Sequence, residues 1–293
     1  MRLHDISKGS KKDIISDEQL AQLHKVLLMI LDDLLLIAEQ NDLKIILIGG
    51  TAIGVLRHKG FIPWDDDIDI AMTRADYEKL AEVIRKDYSD KYTVSDAKDE
   101  KNYGRIIPKI RLKGTAYRTV LERDLEDVGI RIDIFLIENV CNNPVQAKLQ
   151  GVMDMFMGFA LSCRRLYKGR EQYRGIAQGV PFKVKSAIGF LFSGAPIEKW
   201  ARWTDYWYSI CKDDHSRMVS VPTDGGHFFK ELTQRENLCE ICEGEFEGRR
   251  VFIPSNYDAY LTRIYGDYMK IPPKEKQLRS CVLEYDLGKY ADL

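Results

Sequence analysis

The hydrophobic positions near the start of the chain fall on one helical line. Leu20, Leu23, Leu27, Ile30, Leu31, Leu34 and Ala38 recur every three or four residues, the period of a helix with one buried stripe. Ser16 and Gln19 stand three apart just before it and make a capping box, so a helix is predicted over 17–40. The period then shortens. Residues 44–48 read as a buried strand that hands over at Gly49-Gly50-Thr51 to a short helix ending at Arg57. A strand over 68–72 follows, and Thr73, with Asp76 placed to complete the box, caps a helix to about 86. Alternating apolar and polar residues predict strands over 105–112, 116–121 and 130–137. From Pro144 the pattern turns helical, over 144–167 and again over 197–211. Two short strands, 239–246 and 249–253, and a helix over 257–265 close the pattern. The class is α+β, with a largely helical second half and a soft boundary near residue 140. The working division is 1–140 as core and 141–293 as a mainly helical region packed on it.

Composition narrows the function. With 44 basic and 45 acidic residues among 293, the molecule carries no overall field for a polyanion, which argues against nucleic acid as a partner. Its apolar runs are far shorter than the roughly 20 residues that span a bilayer. The opening residues lack the apolar centre of a secretory signal, and six cysteines are scattered along the chain. The expectation is a cytoplasmic protein with reduced thiols.

The concentrated chemistry lies in Trp64-Asp65-Asp66-Asp67-Ile68-Asp69-Ile70. Alternate residues of a strand share a face, so Asp67 and Asp69 project together while Ile68 and Ile70 turn inward. Two such carboxylates suit magnesium, or manganese, bound jointly with substrate phosphates. Asp65 and Asp66 by themselves read as a solvated turn. Asp133, between Ile132 and Ile134 on another alternating strand, is the candidate third ligand and a candidate base. Upstream, Gly49, Gly50 and Thr51 can bring backbone N–H groups to a phosphate at a helix start. Arg57, His58 and Lys59 are candidate phosphate clamps, with a solvated helix end as the plainer reading.

The run Gly49-Gly50-Thr51 followed by Arg57-His58-Lys59-Gly60-Phe61-Ile62-Pro63-Trp64-Asp65-Asp66-Asp67-Ile68-Asp69-Ile70 resembles the signature of the LicD family. Ile132-Asp133-Ile134-Phe135 agrees with it, as does the stretch from Phe246-Glu247-Gly248 through Tyr265-Gly266-Asp267-Tyr268-Met269 to Pro272-Pro273. The resemblance spans about residues 20–275. It implies a nucleotidyltransferase-like mixed sheet flanked by helices, and transfer of phosphocholine from CDP-choline to a cell-surface glycan of teichoic acid or lipopolysaccharide type. Fukutin-like relatives imply ribitol phosphate instead. By the same match Asp67, Asp69 and Asp133 are metal ligands, and Gly50 and Thr51 form the phosphate-side turn. Other readings are a nucleotidyltransferase moving a nucleoside monophosphate, a glycerol-phosphate transferase and a glycan-binding scaffold.

Three further segments carry expectations. A choline ammonium favours aromatic faces, and Trp64 beside the acids is the preferred candidate. Trp200, Trp203 and Trp207 are spaced as a buried helical stripe and read as core. Residues 164–192 combine many cations with an apolar stretch, a candidate contact with the inner face of a membrane carrying a lipid-linked acceptor. Cys239 and Cys242 have zinc-ligand spacing that Cys211 and His215 would complete, but the surrounding alternation favours strands.

Overall fold

The computed structural model describes residues 14–99, 101, 104–170, 180–224 and 226–293. Helix α1 (Asp17–Gln40) opens the fold with both halves of its capping box formed, Gln19 N–H donating to Ser16 Oγ at 3.1 Å. Strand β1 (Ile46–Leu47) leads into α2 (Gly49–Arg57), then β2 (Asp69–Thr73) and α3 (Arg74–Asp87). Thr73 caps α3 by accepting from Asp76 N–H at 3.2 Å. Next come β3 (Tyr92–Ser95), β4 (Lys109–Leu112), β5 (Ala116–Thr119) and the long β6 (Arg131–Val140). The second half contains α4 (Pro144–Lys168), α5 (Val180–Leu191), α6 (Ile197–Tyr208), β7 (Met218–Ser220), α7 (His227–Glu231), β8 (Thr233–Gln234) and α8 (Glu236–Cys239). It ends with β9 (Ile241–Phe246), β10 (Arg249–Pro254), α9 (Tyr257–Tyr265) and β11 (Val282–Asp286).

The class is α+β. The main sheet runs β1-β2-β6-β4-β3, with β2 and β6 parallel and the remaining pairs antiparallel. Its apolar residues join those of α1 and α3 in one core that also takes Phe246, Val251 and Leu261 from the second half. β7 extends the sheet from the far end of β6, and β11 pairs with β5, so strands from beyond residue 140 are laid directly on the first half.

Several boundaries differ from the pattern reading. β4 starts at Lys109 because Pro108 has no N–H to give to the ladder, although its carbonyl still accepts from Ile134 at 2.8 Å. β5 stops at Thr119, where the chain turns so that Glu122 can enter the interior. Strands β3, β7 and β11 are too short or too irregular to show a period.

The tryptophan stripe is a correction. The buried line of α6 is Ile197, Ala201, Thr204 and Tyr208, while Trp200 and Trp207 are half-buried and Trp203 is exposed. Small residues at the centre let α6 approach α4 closely, and the indoles are displaced to its flanks.

Candidate active site

Asp69 of β2 is the direct partner of Asp133 on β6, and Asp133 is in turn the partner of Lys109 on β4. Partners in a ladder point to the same face. Asp69, Asp133 and Lys109 therefore form one row across three neighbouring strands, and Arg131 opposite Arg111 forms the next row on two of them. Lys109 and Arg111 are buried, and their partners are on this same face. Lys109 makes a short ion pair with Asp133, which Arg131 Nε also approaches at 3.3 Å. Arg111 and Arg131 share Glu122, at 2.7 and 3.1 Å.

This arrangement divides the acids into two electrostatic kinds. Burial would raise the Asp133 carboxyl, but Lys109 and then Arg131 outweigh it and hold it below the ordinary range. Asp69 goes the other way, driven well up by burial and then by the charges of Asp67, Asp133 and Asp65. Asp67 is pushed up to about 7, first by desolvation and then by Asp66 and Asp133. Asp67 is nevertheless exposed, so its carboxylate is crowded by acidic neighbours yet reachable from solvent. Asp65 is also raised, by desolvation and by Asp67, to which it is hydrogen-bonded. Asp66 alone turns away, buried and accepting from the Tyr117 hydroxyl.

Helix α2 begins against these acids. Gly49 sits at φ +57°, a conformation glycine adopts without penalty. A Cβ there would lie 3.5 Å from Asp69 Oδ2 and 3.4 Å from the Tyr265 hydroxyl, and one on Gly50 would lie 3.0 Å from Asp65 Oδ2. Asp69 N–H donates to Thr51 Oγ1 at 2.9 Å, and Gly49 N–H donates to the Tyr260 hydroxyl at 3.3 Å. The positive end of the helix thus faces the acidic cluster, as it would face a phosphate. His24 supports the loop from α1: its ring stacks on Phe61 with centroids 3.7 Å apart, and Nε2 lies 2.8 Å from the Asp65 carbonyl. A carbonyl only accepts, so Nε2 carries the proton.

The structure brings Gly49, Gly50, Thr51, Asp67, Asp69 and Asp133 together. Trp64 is half-buried at the edge of the core, next to Asp65. Arg57, His58 and Lys59 stand at the opposite end of α2. Arg57 donates to the carbonyls of Tyr268 at 2.6 Å and Lys270 at 3.3 Å, so its guanidinium ties down the segment after α9. Lys59 is exposed. The four residues of the zinc reading are dispersed: Cys211 is hydrogen-bonded to Cys141, Cys239 ends α8 and Cys242 lies in β9. All six cysteines are free.

Sequence reasoning missed Lys109, Arg131, Tyr260 and His24. Lys109 had a readable signal, since Lys-Ile-Arg-Leu alternates as a strand and a central strand gives its cations no solvated face. His24 had none, because its role depends on a contact 41 positions away.

Among the described residues, no three His, Cys, Asp or Glu side chains already converge on a metal position. Asp133 is instead drawn to Lys109. The donor chemistry nevertheless fits a hard divalent cation. Asp67 and Asp69 supply carboxylate oxygens whose charge is not cancelled within the protein, and this ion type commonly binds through one or two carboxylates plus substrate phosphates.

Comparison with known proteins shows what the chain is similar to. The family description "LicD/FKTN/FKRP, nucleotidyltransferase domain" matches residues 42–139, which include every acid discussed above. The lipopolysaccharide cholinephosphotransferase LicD of Haemophilus influenzae is 30% identical over 270 residues, covering 91% of this chain and 96% of that protein. An uncharacterised protein of Rickettsia prowazekii is 38% identical over 56 residues, 19% of this chain and 21% of its own. The chain is accordingly an enzyme of the phosphotransferase class. It belongs to the LicD family.

Proposed function

We propose that the enzyme transfers a phospho-alcohol, phosphocholine from CDP-choline, to a hydroxyl of a cell-surface glycan of teichoic acid or lipopolysaccharide type. The observation that carries the reading is the Asp69–Asp133 partnership on adjacent parallel strands, with Asp67 two residues upstream and the start of α2 against the same acids. Similarity along almost the whole chain to a cholinephosphotransferase supports the choice of transferred group.

In this reading the core has a nucleotidyltransferase-like fold within residues 1–140, and 141–293 form the acceptor side. Asp67 and Asp69 hold a magnesium or manganese ion that, when bound, neutralises the donor's diphosphate oxygens. The N–H groups at the start of α2 receive a phosphate oxygen. Lys109 keeps Asp133 ionised and places a cation beside the transferred group. A carboxylate held low is a weak base, so Asp133 serves charge placement better than proton removal. Trp64 offers its ring to the choline ammonium.

The test uses CDP-choline labelled separately in choline and in cytidine, with the purified chain, magnesium and a glycan acceptor. Choline label on the glycan is the expected result. Cytidine label there would show nucleotidyl transfer instead, and turnover only with CDP-ribitol or CDP-glycerol would reassign the alcohol.

A further inference from the structure

Helix α4 has an apolar line on its outer face as well as its inner one. Val145, Leu149, Val152, Phe156 and Phe159 follow helical spacing, and all are exposed. The line continues onto neighbouring elements. Phe156 meets Phe192 edge-on with centroids 6.2 Å apart, Phe192 lies 5.1 Å from Trp200, and Trp200 lies 5.2 Å from Trp203. On α5, Phe190 is 58% and Leu191 77% exposed. α5 is pressed onto α4 at Gly189, where a Cβ would come within 2.1 Å of the Cys163 carbonyl, so the two helices form one hairpin-like surface. Contiguous apolar surface of this kind marks a place where something docks.

The charges identify what docks. Across α4 and α5 the one acidic residue is Asp154, and it is buried. The cations open to solvent are Lys148 on α4 and Lys183 and half-buried Lys185 on α5, with Lys168 exposed but 3.8 Å from Glu198 of α6 and Arg164 buried against the Ala195 carbonyl. Lys185 Nζ lies 5.9 Å from the Phe159 ring centre, so positive charge and apolar surface interleave. A second copy of the chain is a poor occupant, because a two-fold contact would lay two faces of the same positive sign against each other. An anionic lipid surface answers both features: its headgroups take the lysines and its acyl boundary takes the side chains. No helix among the described residues is long and apolar enough to cross a membrane, so the contact lies in the plane of the surface.

We propose that the outer face of α4 and α5 is a docking surface for an anionic lipid bilayer. Its use in bringing the active site to a lipid-linked acceptor rests on the transferase reading, whereas the binding itself does not. It enlarges the sequence expectation for residues 164–192, of which 171–179 lie outside the described residues, by adding the whole exposed line of α4.

The experiment is co-sedimentation of the full chain with vesicles of phosphatidylcholine alone and with about one third phosphatidylglycerol, where each lysine at the surface is worth about a fivefold change in partition. Expected are preferential binding to the anionic vesicles, weakening by salt, and loss with Leu149→Glu/Phe156→Glu. Lys183→Glu/Lys185→Glu weakens binding, and Lys183→Arg/Lys185→Arg restores it. These positions are exposed or half-buried, and circular dichroism confirms the fold of each variant. Equal partition to both vesicle types overturns the proposal, as does unchanged binding by correctly folded glutamate variants. So does a wild-type dimer that ignores vesicles and is split by Leu149→Glu/Phe156→Glu in light scattering. Neither donor nor acceptor is present, so failure here leaves the transferase reading standing, and a failed transfer assay leaves this one.

Discussion

Asp69 and Asp133 are direct partners across the parallel ladder of β2 and β6, yet their carboxyl groups are shifted in opposite directions. The difference lies on the far side of Asp133, where Lys109 and Arg131 supply positive charge that does not compensate Asp67 and Asp69 to the same extent. One row of the sheet thus sets Asp133, paired with a cation, beside Asp69, whose acidic neighbours outweigh the cations near it.

Asp67→Asn and Asp69→Asn should each lower turnover by about a hundredfold or more, the scale of losing one transition-state charge contact. Each should also raise the melting temperature of the metal-free protein, by about 1 kcal/mol of stability, by relieving repulsion. Rate measurements and thermal melts on the same samples check both. A variant that loses stability along with activity would show that these acids build the fold.

Lys109→Met should destabilise the protein by about 3 kcal/mol, because it leaves Asp133 in the interior with one cation fewer. Adding Asp133→Asn should recover much of that loss, since the uncompensated charge is then gone. Urea unfolding of the two single variants and the double variant measures the coupling.

Gly49→Ala places a side chain at φ +57° between Asp69 and Tyr265. A cost of about 1 kcal/mol in stability is expected from the backbone alone. The apparent affinity for magnesium, read by titration calorimetry with donor present, should fall because a methyl in van der Waals contact with Asp69 Oδ2 takes space beside that oxygen that a bound ion would need. Gly248→Ala, also at positive φ but with open space around it, should share the backbone cost and leave the affinity intact.

Asp154 has no hydrogen-bond partner for either carboxylate oxygen among the described residues, and desolvation followed by Glu138 pushes it up to about 8. An acid raised in the folded state binds more protons folded than unfolded. Its stabilising effect is therefore full below about 4 and is lost as pH rises towards 8. Asp154→Asn should flatten the decline in stability across that window, measured by denaturation at a series of pH values.

Local periodicity and end signals determined the long helices: α1 and α4 occur where spacing, the Ser16 capping box and Pro144 place them, since those signals act within a few residues. The Asp-Ile-Asp run likewise put Asp67 close enough to Asp69 for their charges to interact, although β2 begins only at Asp69, and Ile132 and Ile134 set Asp133 on the face away from the core. Only the tertiary structure decided which acids keep their charge. The register that sets Lys109 against Asp133, the return of Tyr260 to Gly49 across 211 positions, and the exposed outer line of α4 depend on which strands and helices become neighbours. Coulomb energy and desolvation follow distance in space, and a sequence pattern measures distance only along the chain.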